Sequence, residues 1–332
     1  MTRWFNPSMI HTPQLLHDSK DNLFSITTSY LKRPLVKHYR LLKETAHGST
    51  ASIFMGVNIY TRKRYAVKEM TLARQRQQAF EDMLQARHPK SQQSNKRRRI
   101  SMSPAHRPSK ESDILKALHH PHIIKWVDQF EDDGNFYLVT EFVDGSVLLD
   151  LHNEHCQPIA MDICKLVFMQ LVDTLSYVHS QGIIHGDIKP DNILVTKKNQ
   201  IKLIDFGSAF RVNADDDADK NHVASVENRC GTPAFTAPEF ASYLMHDKTI
   251  QKQATAIDIW ALGITLYCMV HGQLPFHHVT STLSYHQLVT SLVSSTNLDT
   301  DLKDLLSRML RLDPYERLTL DEIKDHPWCN QP

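Results

Sequence analysis

One segment constrains this chain more than any other: IIHGDIKPDNIL at Ile183–Leu194, followed by LIDFG at Leu203–Gly207. Four polar side chains fall within these two short stretches: Asp187, Lys189, Asn192 and Asp205. Transfer of a phosphoryl group requires such a set, with one carboxylate to orient a hydroxyl, one cation near the γ-phosphate, and an amide and a carboxylate to hold Mg²⁺. The spacing therefore predicts phosphoryl-transfer chemistry in two loops.

The composition excludes several other classes of protein. The 332 residues are 41% hydrophobic and 23% charged, as is usual for a globular protein, and the formal net charge is only +1. A charge this small gives no reason to expect binding to nucleic acid or to a membrane surface. The five cysteines are scattered and no two have CxxC spacing, so neither a disulfide framework nor a zinc site is predicted.

No segment has the pattern of a membrane anchor. The N-terminus lacks the apolar stretch of a signal peptide. The most apolar run, Ile257–Val270, is too short to cross a bilayer and contains Asp258. We therefore expect a soluble protein of a reducing compartment, the cytoplasm, with no membrane partner.

The N-terminal third has the pattern of β-structure with one basic insertion. Residues 1–37 are polar and lack sustained periodicity, so we expect a flexible arm. The runs YRLLKET, SIFMGVN and RYAVKEM, between Tyr39 and Met70, are typical of antiparallel strands. Residues from about 73 to 109 are rich in Lys, Arg, Gln and Ser, and this composition predicts a disordered insertion.

The rest of the chain is mostly helical in pattern. ESDILKAL, beginning at Glu111, predicts a helix that ends before Pro121, and FYLVTEF, beginning at Phe136, predicts a strand. Beyond this strand, apolar residues recur every three or four positions. We therefore predict an α+β fold of two lobes, a small β-rich lobe at 38–141 and a large, mainly α-helical lobe at 145–328, with 329–332 as a tail and the chemistry in the cleft between the lobes.

The order of these motifs resembles the protein-kinase superfamily from about residue 38 to residue 328. The resemblance implies a bilobal protein-kinase fold that uses ATP and Mg²⁺. It implies that Lys68, in YAVK, contacts the α- and β-phosphates and that Glu111 of the αC helix holds this lysine through an ion pair. Asp187 would be the catalytic base or hydroxyl-orienting group, and Lys189 would contact the γ-phosphate.

The same resemblance implies a set of nucleotide contacts. Thr140 corresponds to the gatekeeper that precedes the hinge, where backbone groups bind adenine. The residues expected to bind ATP are Ala46, Gly48, Ile53, Ala66, Lys68, Glu141, Val143, Asn192 and Asp205. Asn192 and Asp205 would also be the ligands of Mg²⁺, because hard divalent cations prefer oxygen donors.

Two positions depart from the family pattern. The glycine-rich phosphate loop is AHGSTA at Ala46–Ala51 and keeps only its central glycine, which predicts a weakened nucleotide clamp. Gly186 stands where most kinases have an arginine that binds a phosphorylated activation loop. We therefore predict activity without phosphorylation of this loop, whose hydroxyls are Ser208 and Ser225.

Three further features are expected to support the fold rather than the chemistry. Thr232, in GTPAFTAPE, would support Asp187 and shape the site beside the phosphoacceptor. Glu239 would pair with Arg317, and Asp258 would brace the backbone of the catalytic loop.

Several local strings narrow the resemblance within the family. DIKPDN is similar to serine/threonine rather than tyrosine kinases, and GTPAFTAPE, ITLYCMVHGQLPF and EIKDHPW resemble calcium/calmodulin-dependent protein kinase kinases and the plant and fungal kinases that activate SNF1/AMP-activated-type kinases. The implied partner is another protein kinase, phosphorylated on its activation-loop threonine. An active kinase of another calmodulin-kinase-like branch and a pseudokinase scaffold are the alternatives. Direct calmodulin binding is not expected, because no basic amphipathic segment follows Trp328.

The basic insertion carries its own hypotheses. Lys96–Arg99 has the sequence KRRR, which fits a nuclear-localisation signal, a contact with an acidic partner or a solvated run of charge. A nuclear location is therefore kept beside the cytoplasmic one. Ser101 and Ser103 lie in contexts that resemble kinase target sites, and their phosphorylation would lower the positive charge of this segment.

Overall fold

The computed structural model describes residues 3–4, 33–47, 51–71, 108–151, 156–212, 232–241, 254–275 and 298–330. Its contacts divide the chain into two compact units. The first unit is Met1–Ser112 with Lys125–Asp144, and the second is Asp113–Ile124 with Gly145–Pro332. The first is dominated by strands and the second by helices, so the predicted α+β class is confirmed.

One antiparallel sheet forms the framework of the first unit. Its strands are β1 (Arg3–Trp4), β2 (Leu35–Val36), β3 (Tyr39–His47), β4 (Ala51–Asn58), β5 (Arg64–Thr71), β6 (Trp126–Asp132) and β7 (Asn135–Glu141). Their order is β1-β3-β4-β5-β7-β6, with β2 also paired to β3. β6 has a bulge against β7, because Trp126 lies opposite Thr140 while Asp128 lies opposite Val139.

Ordered elements lie near the limits of the predicted arm and of the predicted insertion. Arg3 pairs with His47 and Trp4 with Ala46, and β2 precedes the expected start of the domain, so both ends of the predicted flexible arm are strands. Helix α1 runs from Pro108 to Ala117 and therefore begins inside the predicted insertion. Proline is favoured in the first helical turn, where its missing N–H costs no hydrogen bond. Residues 5–32 and 72–107, including Ser101 and Ser103, lie outside the described residues.

Aromatic and branched side chains form the core of the first unit. The buried members are Val36, Tyr39, Leu41, Val67, Tyr137 and Val139. Phe130 stacks on Tyr39 with ring centroids 6.0 Å apart and on Tyr137 at 5.0 Å. Burial raises the pKa of Tyr39 to about 12, and its hydroxyl donates to Asp128. Tyr137 and Val139 are two residues apart on β7, and Val67 lies opposite Val139, so these core side chains share one face of the sheet.

The second unit consists of helices and two small sheets. Its described helices are α2 (Met161–Ser180), α3 (Pro238–Ala241), α4 (Ala254–His271), α5 (Thr300–Met309), α6 (Leu320–Lys324) and α7 (Pro327–Asn330). Its strands are β8 (Gly145–Val147), β9 (Ile183–Ile184), β10 (Ile193–Thr196), β11 (Ile201–Leu203) and β12 (Phe210–Arg211). The sheets have the orders β11-β10-β8 and β12-β9. The loops that carry Asp187 and Asp205 are therefore anchored by strands on both sides.

Helix α4 is apolar on nearly all sides because it lies in the interior of the second unit. It extends beyond the apolar run expected from the sequence, and by length and composition alone it could cross a membrane. In the structure, 78% of its apolar window is buried inside the protein, as in the core helix of a globular fold. Among the described helices it is the one with these properties.

Candidate active site

In the first unit, Lys68 and Glu111 form an ion pair. Lys68 lies on β5 and Glu111 in the first turn of α1, and the lysine Nζ is 2.9 and 2.8 Å from the two carboxylate oxygens. The lysine and glutamate side chains are 18% and 7% exposed, so the pair is mostly shielded from solvent and is held by charge-assisted hydrogen bonds. The structure thus brings together two residues that the basic insertion separates in sequence.

Other residues of the first unit that are predicted to contact the nucleotide lie in the same sheet as Lys68. Ile53 lies opposite Lys68, and Ala66 lies opposite Thr140. Ala46 has no exposed surface, and its backbone pairs with β1 on one edge and with β4 on the other. Its contact with the nucleotide stays a prediction. Gly48 lies outside the described residues.

The hinge residues follow at the end of β7. The amide of Glu141 already donates to the Lys125 carbonyl at 2.9 Å, and its carboxylate accepts from the Lys125 amide at 3.0 Å. Val143, two residues after Glu141, is half-buried and lies beyond the strand. The Glu141 amide is therefore not a donor for a ligand, and the predicted adenine contacts are left to other backbone groups of this segment.

In the second unit, three donors converge on the carboxylate of Asp187. Lys189 donates to its Oδ2 at 2.7 Å, Asn192 donates to the same oxygen at 2.9 Å, and the amide of Thr232 donates to Oδ1 at 3.0 Å. Asn192 also donates to the Asp187 carbonyl at 2.8 Å, and Lys189 donates to the Thr232 hydroxyl. The carboxylate is thus fixed in one orientation.

Asn192 and Asp205 lie at the two ends of the β10–β11 hairpin. Ile193 is paired with Leu203, and the Ile204 amide donates to the Asn192 carbonyl at 2.9 Å, so the backbone preceding Asp205 is next to Asn192. The Asn192 amide nitrogen is committed to Asp187, which leaves its Oδ1 as the candidate metal ligand.

Asp205 has a positive φ of 60° and accepts a hydrogen bond from the Gly207 amide. Non-glycine residues at positive φ are strained and cluster at functional sites. An amide oxygen and a carboxylate suit Mg²⁺, which takes few protein ligands and completes its shell with water and phosphate oxygens. The donor set of Asn192 and Asp205 therefore fits this cation.

A profile of the protein kinase domain matches residues 39–329. This span includes Lys68 and Glu111 of the first unit and the loop of Asp187 in the second. This chain belongs to the protein kinase family.

Relatives with curated descriptions carry the same kinase domain. The serine/threonine-protein kinase stk11 homolog of Dictyostelium discoideum is 33% identical over 95% of this chain and 49% of its own length. Serine/threonine-protein kinase GRIK2 of Arabidopsis thaliana is 36% identical over 66% of this chain and 52% of its own. Calcium/calmodulin-dependent protein kinase kinase cmkC of Emericella nidulans is 31% identical over 89% of this chain and 58% of its own length. The chain thus spans about half the length of the curated relatives it matches.

A buried aspartate holds the backbone of the catalytic loop of this kinase domain. Asp258, on α4, accepts from the amides of His185 and Gly186 at 2.9 and 2.8 Å and lies 2.8 Å from Nε2 of His179. Burial alone would raise the pKa of the Asp258 carboxyl, but its hydrogen bond and charge contact with His179, and its other contacts with the loop, more than offset burial and lower the pKa. Asp258 therefore braces the loop as an ionised group.

His185 supports Asp187 from within the same loop. Its Nδ1 accepts from the Asp187 amide at 3.3 Å, and its Nε2 lies 3.2 Å from the Ile204 carbonyl. These partners assign the neutral tautomer with the proton on Nε2. Complete burial lowers the pKa of His185, which keeps the ring neutral. His179 and His185 were not singled out from the sequence, because their roles depend on contacts with α4 and β11.

Gly186 has a positive φ of 74°. A Cβ built at this position would come 3.2 Å from the Ser208 carbonyl oxygen, so a side chain here requires both an unfavourable backbone conformation and a shift of that carbonyl. The glycine therefore suits the backbone conformation of this loop, and it supplies no cation beside Asp187. Ser225 lies outside the described residues.

The predicted pair of Glu239 and Arg317 is present. The guanidinium donates to the Glu239 carboxylate through both terminal nitrogens, one of them at 2.6 Å, and also donates to the Ala256 carbonyl at 2.9 Å. Arg317 is buried and lies over the ring of Trp260. A bidentate buried pair of this kind ties α3 to the helices of the second unit.

Proposed function

We propose that this chain is a serine/threonine protein kinase that uses ATP and Mg²⁺ to phosphorylate another protein kinase. The observation that carries the proposal is the carboxylate of Asp187, whose side chain is 12% exposed and is fixed by Lys189, Asn192 and Thr232. A carboxylate held in this way can orient a hydroxyl group and accept its proton without first reorganising.

The proposed step is an in-line displacement at the γ-phosphorus. Asp187 orients the acceptor hydroxyl and takes up its proton while the new oxygen–phosphorus bond forms. The bond from the γ-phosphorus to the β–γ bridging oxygen breaks, and the nucleoside diphosphate leaves with that electron pair. Lys189, 2.7 Å from Asp187 Oδ2, places its ammonium where the charge of the transferred group develops.

The other predicted site residues would bind the metal ion, the phosphates and the base. Asn192 Oδ1 and the Asp205 carboxylate would hold Mg²⁺, which supplies neutralisation of phosphate charge when it is bound. Lys68, oriented by Glu111, would bind the α- and β-phosphates. Ile53, Ala66 and Val143 would contact the nucleotide base.

The proposed acceptor is the activation-loop threonine of an SNF1/AMP-activated-type kinase. The support is the resemblance of GTPAFTAPE, ITLYCMVHGQLPF and EIKDHPW to kinase kinases, together with the similarity to cmkC, whose name describes a kinase that acts on a kinase. The second candidate is an active serine/threonine kinase of another calmodulin-kinase-like branch, the alternative that these local strings leave open.

A direct assay tests the proposal. Purified protein is incubated with Mg²⁺–ATP and a catalytically inactive SNF1/AMP-activated-type kinase subunit, and phosphate on its activation-loop threonine is measured by mass spectrometry. Asp187→Asn is the inactive control, and Asp173→Asn, at an exposed carboxylate of α2, is the matched control for loss of an aspartate.

Each outcome of this assay assigns a function. Phosphate on the threonine that disappears with Asp187→Asn and persists with Asp173→Asn supports the whole proposal. Phosphorylation of generic serine and threonine peptides without this acceptor keeps the kinase and rejects the substrate. No transfer to any acceptor would reject the activity in favour of the pseudokinase scaffold.

Regulation is proposed to be independent of phosphate on the activation loop. Gly186 offers no guanidinium to such a phosphate, so Ser225→Ala is expected to retain wild-type activity in the same assay. A hundredfold loss would contradict this. We further propose a cytoplasmic location without direct calmodulin binding, to be tested by imaging of a fluorescent fusion and by retention on calmodulin resin with calcium.

A further inference from the structure

We propose that Ser112 is a positioning residue that sets the rotation of α1 and thereby holds Glu111 against Lys68. The inference rests on the proposed function, in which the lysine binds phosphate. Ser112 follows Glu111 directly and is fully buried. Its hydroxyl accepts a hydrogen bond from the Trp126 indole nitrogen at 2.8 Å and donates to Oε1 of Gln129. We call Trp126, Ser112 and Gln129 the Ser112 relay.

The bulge in β6 is what allows two side chains of that strand to reach one hydroxyl. Trp126 and Gln129 are three residues apart, and in a regular strand such residues point to opposite faces of the sheet. The extra residue between Trp126 and Asp128 reverses the alternation, so that both side chains lie on one face. Bulges commonly redirect a side chain in this way.

The register of the sheet connects the relay to the ion pair. Leu138 of β7 lies opposite Lys68 on one side and opposite Gln129 on the other. Residues directly opposite each other share a face, so Lys68, Leu138 and Gln129 form a row across three strands. Glu111 binds the first member of this row and Ser112 binds the last.

Two contacts at adjacent helical positions constrain rotation. Consecutive residues of an α-helix point in directions that differ by about 100°, because there are about 3.6 residues in each turn. A rotation of α1 that moved Glu111 away from Lys68 would also move Ser112 away from its two partners. Both partners would then lose a hydrogen bond in a partly buried setting, which opposes the rotation.

The test compares hydroxyl deletion at Ser112 with a matched deletion elsewhere. Ser112→Ala removes both hydrogen bonds, and Ser176→Ala removes a hydroxyl of α2 that bonds only its own helix, to the Val172 carbonyl at 2.9 Å. We expect Ser112→Ala to raise KM for ATP about fivefold with a smaller fall in kcat, since net hydrogen bonds contribute modestly to stability. Ser176→Ala is expected to leave KM unchanged.

Partner variants keep the test decisive if Ser112→Ala folds poorly. Trp126→Phe keeps the aromatic ring and removes the donor, and Gln129→Met removes the acceptor, whereas Gln129→Glu retains an oxygen at the same place. The first two are expected to raise KM for ATP as Ser112→Ala does, and the third to remain within twofold of wild type. Equal KM values in all folded variants would overturn the proposal.

A double-mutant cycle separates a positioning role from a purely structural one. If Ser112 acts through Glu111, then Ser112→Ala changes KM in the wild-type background and adds less than twofold in a Glu111→Gln background, while its effect on Tm persists in both. The same change in KM in the two backgrounds would show that Ser112 does not act through Glu111.

A measurement without ATP distinguishes failure of this inference from failure of the proposed activity. An amine-reactive N-hydroxysuccinimide ester is applied to the folded protein, and acylation of Lys68 is followed by mass spectrometry with exposed Lys198 as the internal reference. Ser112→Ala is expected to accelerate acylation of Lys68 severalfold relative to Lys198. An unchanged ratio would overturn the inference even in a protein that transfers phosphate.

Discussion

The two units hold their predicted functional residues in different ways. The first unit holds Lys68 through an ion pair with Glu111, which lies on a helix beyond a long insertion in the sequence. The second unit fixes Asp187 with three donors, two of which come from within five residues of it. A contact between elements far apart in sequence can be lost when one element moves, whereas hydrogen bonds within a short loop keep its side chains in place.

In the second unit, α4 also supports the loop of Asp187. Asp258 binds two consecutive backbone amides of the loop and a histidine of α2, and His185 joins the loop to β11 through the Ile204 carbonyl. The first unit has the Ser112 relay as its counterpart among the described residues. The comparison indicates that the Lys68–Glu111 pair is the more adjustable group and that the loop of Asp187 is the more fixed one.

The largest effect is expected at Asp187. Asp187→Asn keeps the size of the side chain but turns one acceptor oxygen into an N–H group that faces donors, and it removes the proton acceptor. We expect kcat to fall by about 10³-fold, within the range typical for loss of a general base, while KM for ATP stays within twofold. Steady-state kinetics measure both, and a rise in KM with little loss of kcat would reverse the roles assigned to the two units.

The next largest effect is expected at Asp258 and concerns stability. Asp258→Asn leaves at least one of two buried amides facing a donor instead of an acceptor, and it removes the charge that binds His179. We expect a loss of about 3 kcal/mol in the free energy of unfolding, since hydrogen bonds to a buried charged group are lost and one buried amide loses its acceptor. Urea denaturation measures it, with exposed Asp162→Asn of α2 as the control. A loss under about 0.5 kcal/mol, typical of surface sites, would show that the brace is redundant.

A smaller effect is expected in the first unit. Glu111→Gln removes the counter-charge of Lys68 but keeps an oxygen acceptor, so the lysine is held less firmly. We expect KM for ATP to rise about tenfold, corresponding to about 1.4 kcal/mol, with kcat reduced less. The contrast with Asp187→Asn sharpens the comparison between the units. The proposed difference between the units would be wrong if Glu111→Gln lowered kcat as much as Asp187→Asn does.

The catalytic loop could be predicted from the sequence because its contacts are local. Asp187, Lys189 and Asn192 lie within six positions, and the short β10–β11 hairpin returns the chain to Asp205. Spacing alone therefore indicates which side chains meet. Thr232 and Asp258, which were predicted to support this loop, both form hydrogen bonds with it.

The contacts that sequence could not predict are those set by distant packing. The pairing of Lys68 with Glu111 was expected only from the resemblance, since no local pattern spans the insertion. The neighbouring strand or helix determines each of the other contacts. They are the bulge of β6 against β7, the pairing of Ala46 with β1 and the contact of His179 with Asp258. No periodicity in the sequence records these neighbours, because they are fixed by the whole sheet or helix bundle.

The smallest expected effect concerns the dependence of stability on pH. It tests whether the loop of Asp187 depends on a neutral imidazole at His185. The pKa of His185 is lowered by burial from its ordinary value of 6.5, so below pH 6.5 the unfolded chain binds a proton that the folded chain does not. The stability held by the neutral ring is complete above pH 6.5 and falls as pH decreases, by at most about 1.4 kcal/mol for each pH unit from this one group. His120, whose pKa burial also lowers, contributes with the same sign.

Two variants separate the contributions of these histidines. His185→Gln keeps an acceptor and a donor in the loop without a group that titrates, and it is expected to flatten the dependence of unfolding free energy on pH between 5 and 6.5. His120→Gln is the matched control at a less deeply buried ring that contacts Asp173, and a smaller flattening is expected there. If the slope of His185→Gln equalled that of the wild type, the ring would already be protonated in the folded loop. The hydrogen bond from the Asp187 amide to Nδ1 could then not exist, because an imidazolium has no acceptor nitrogen.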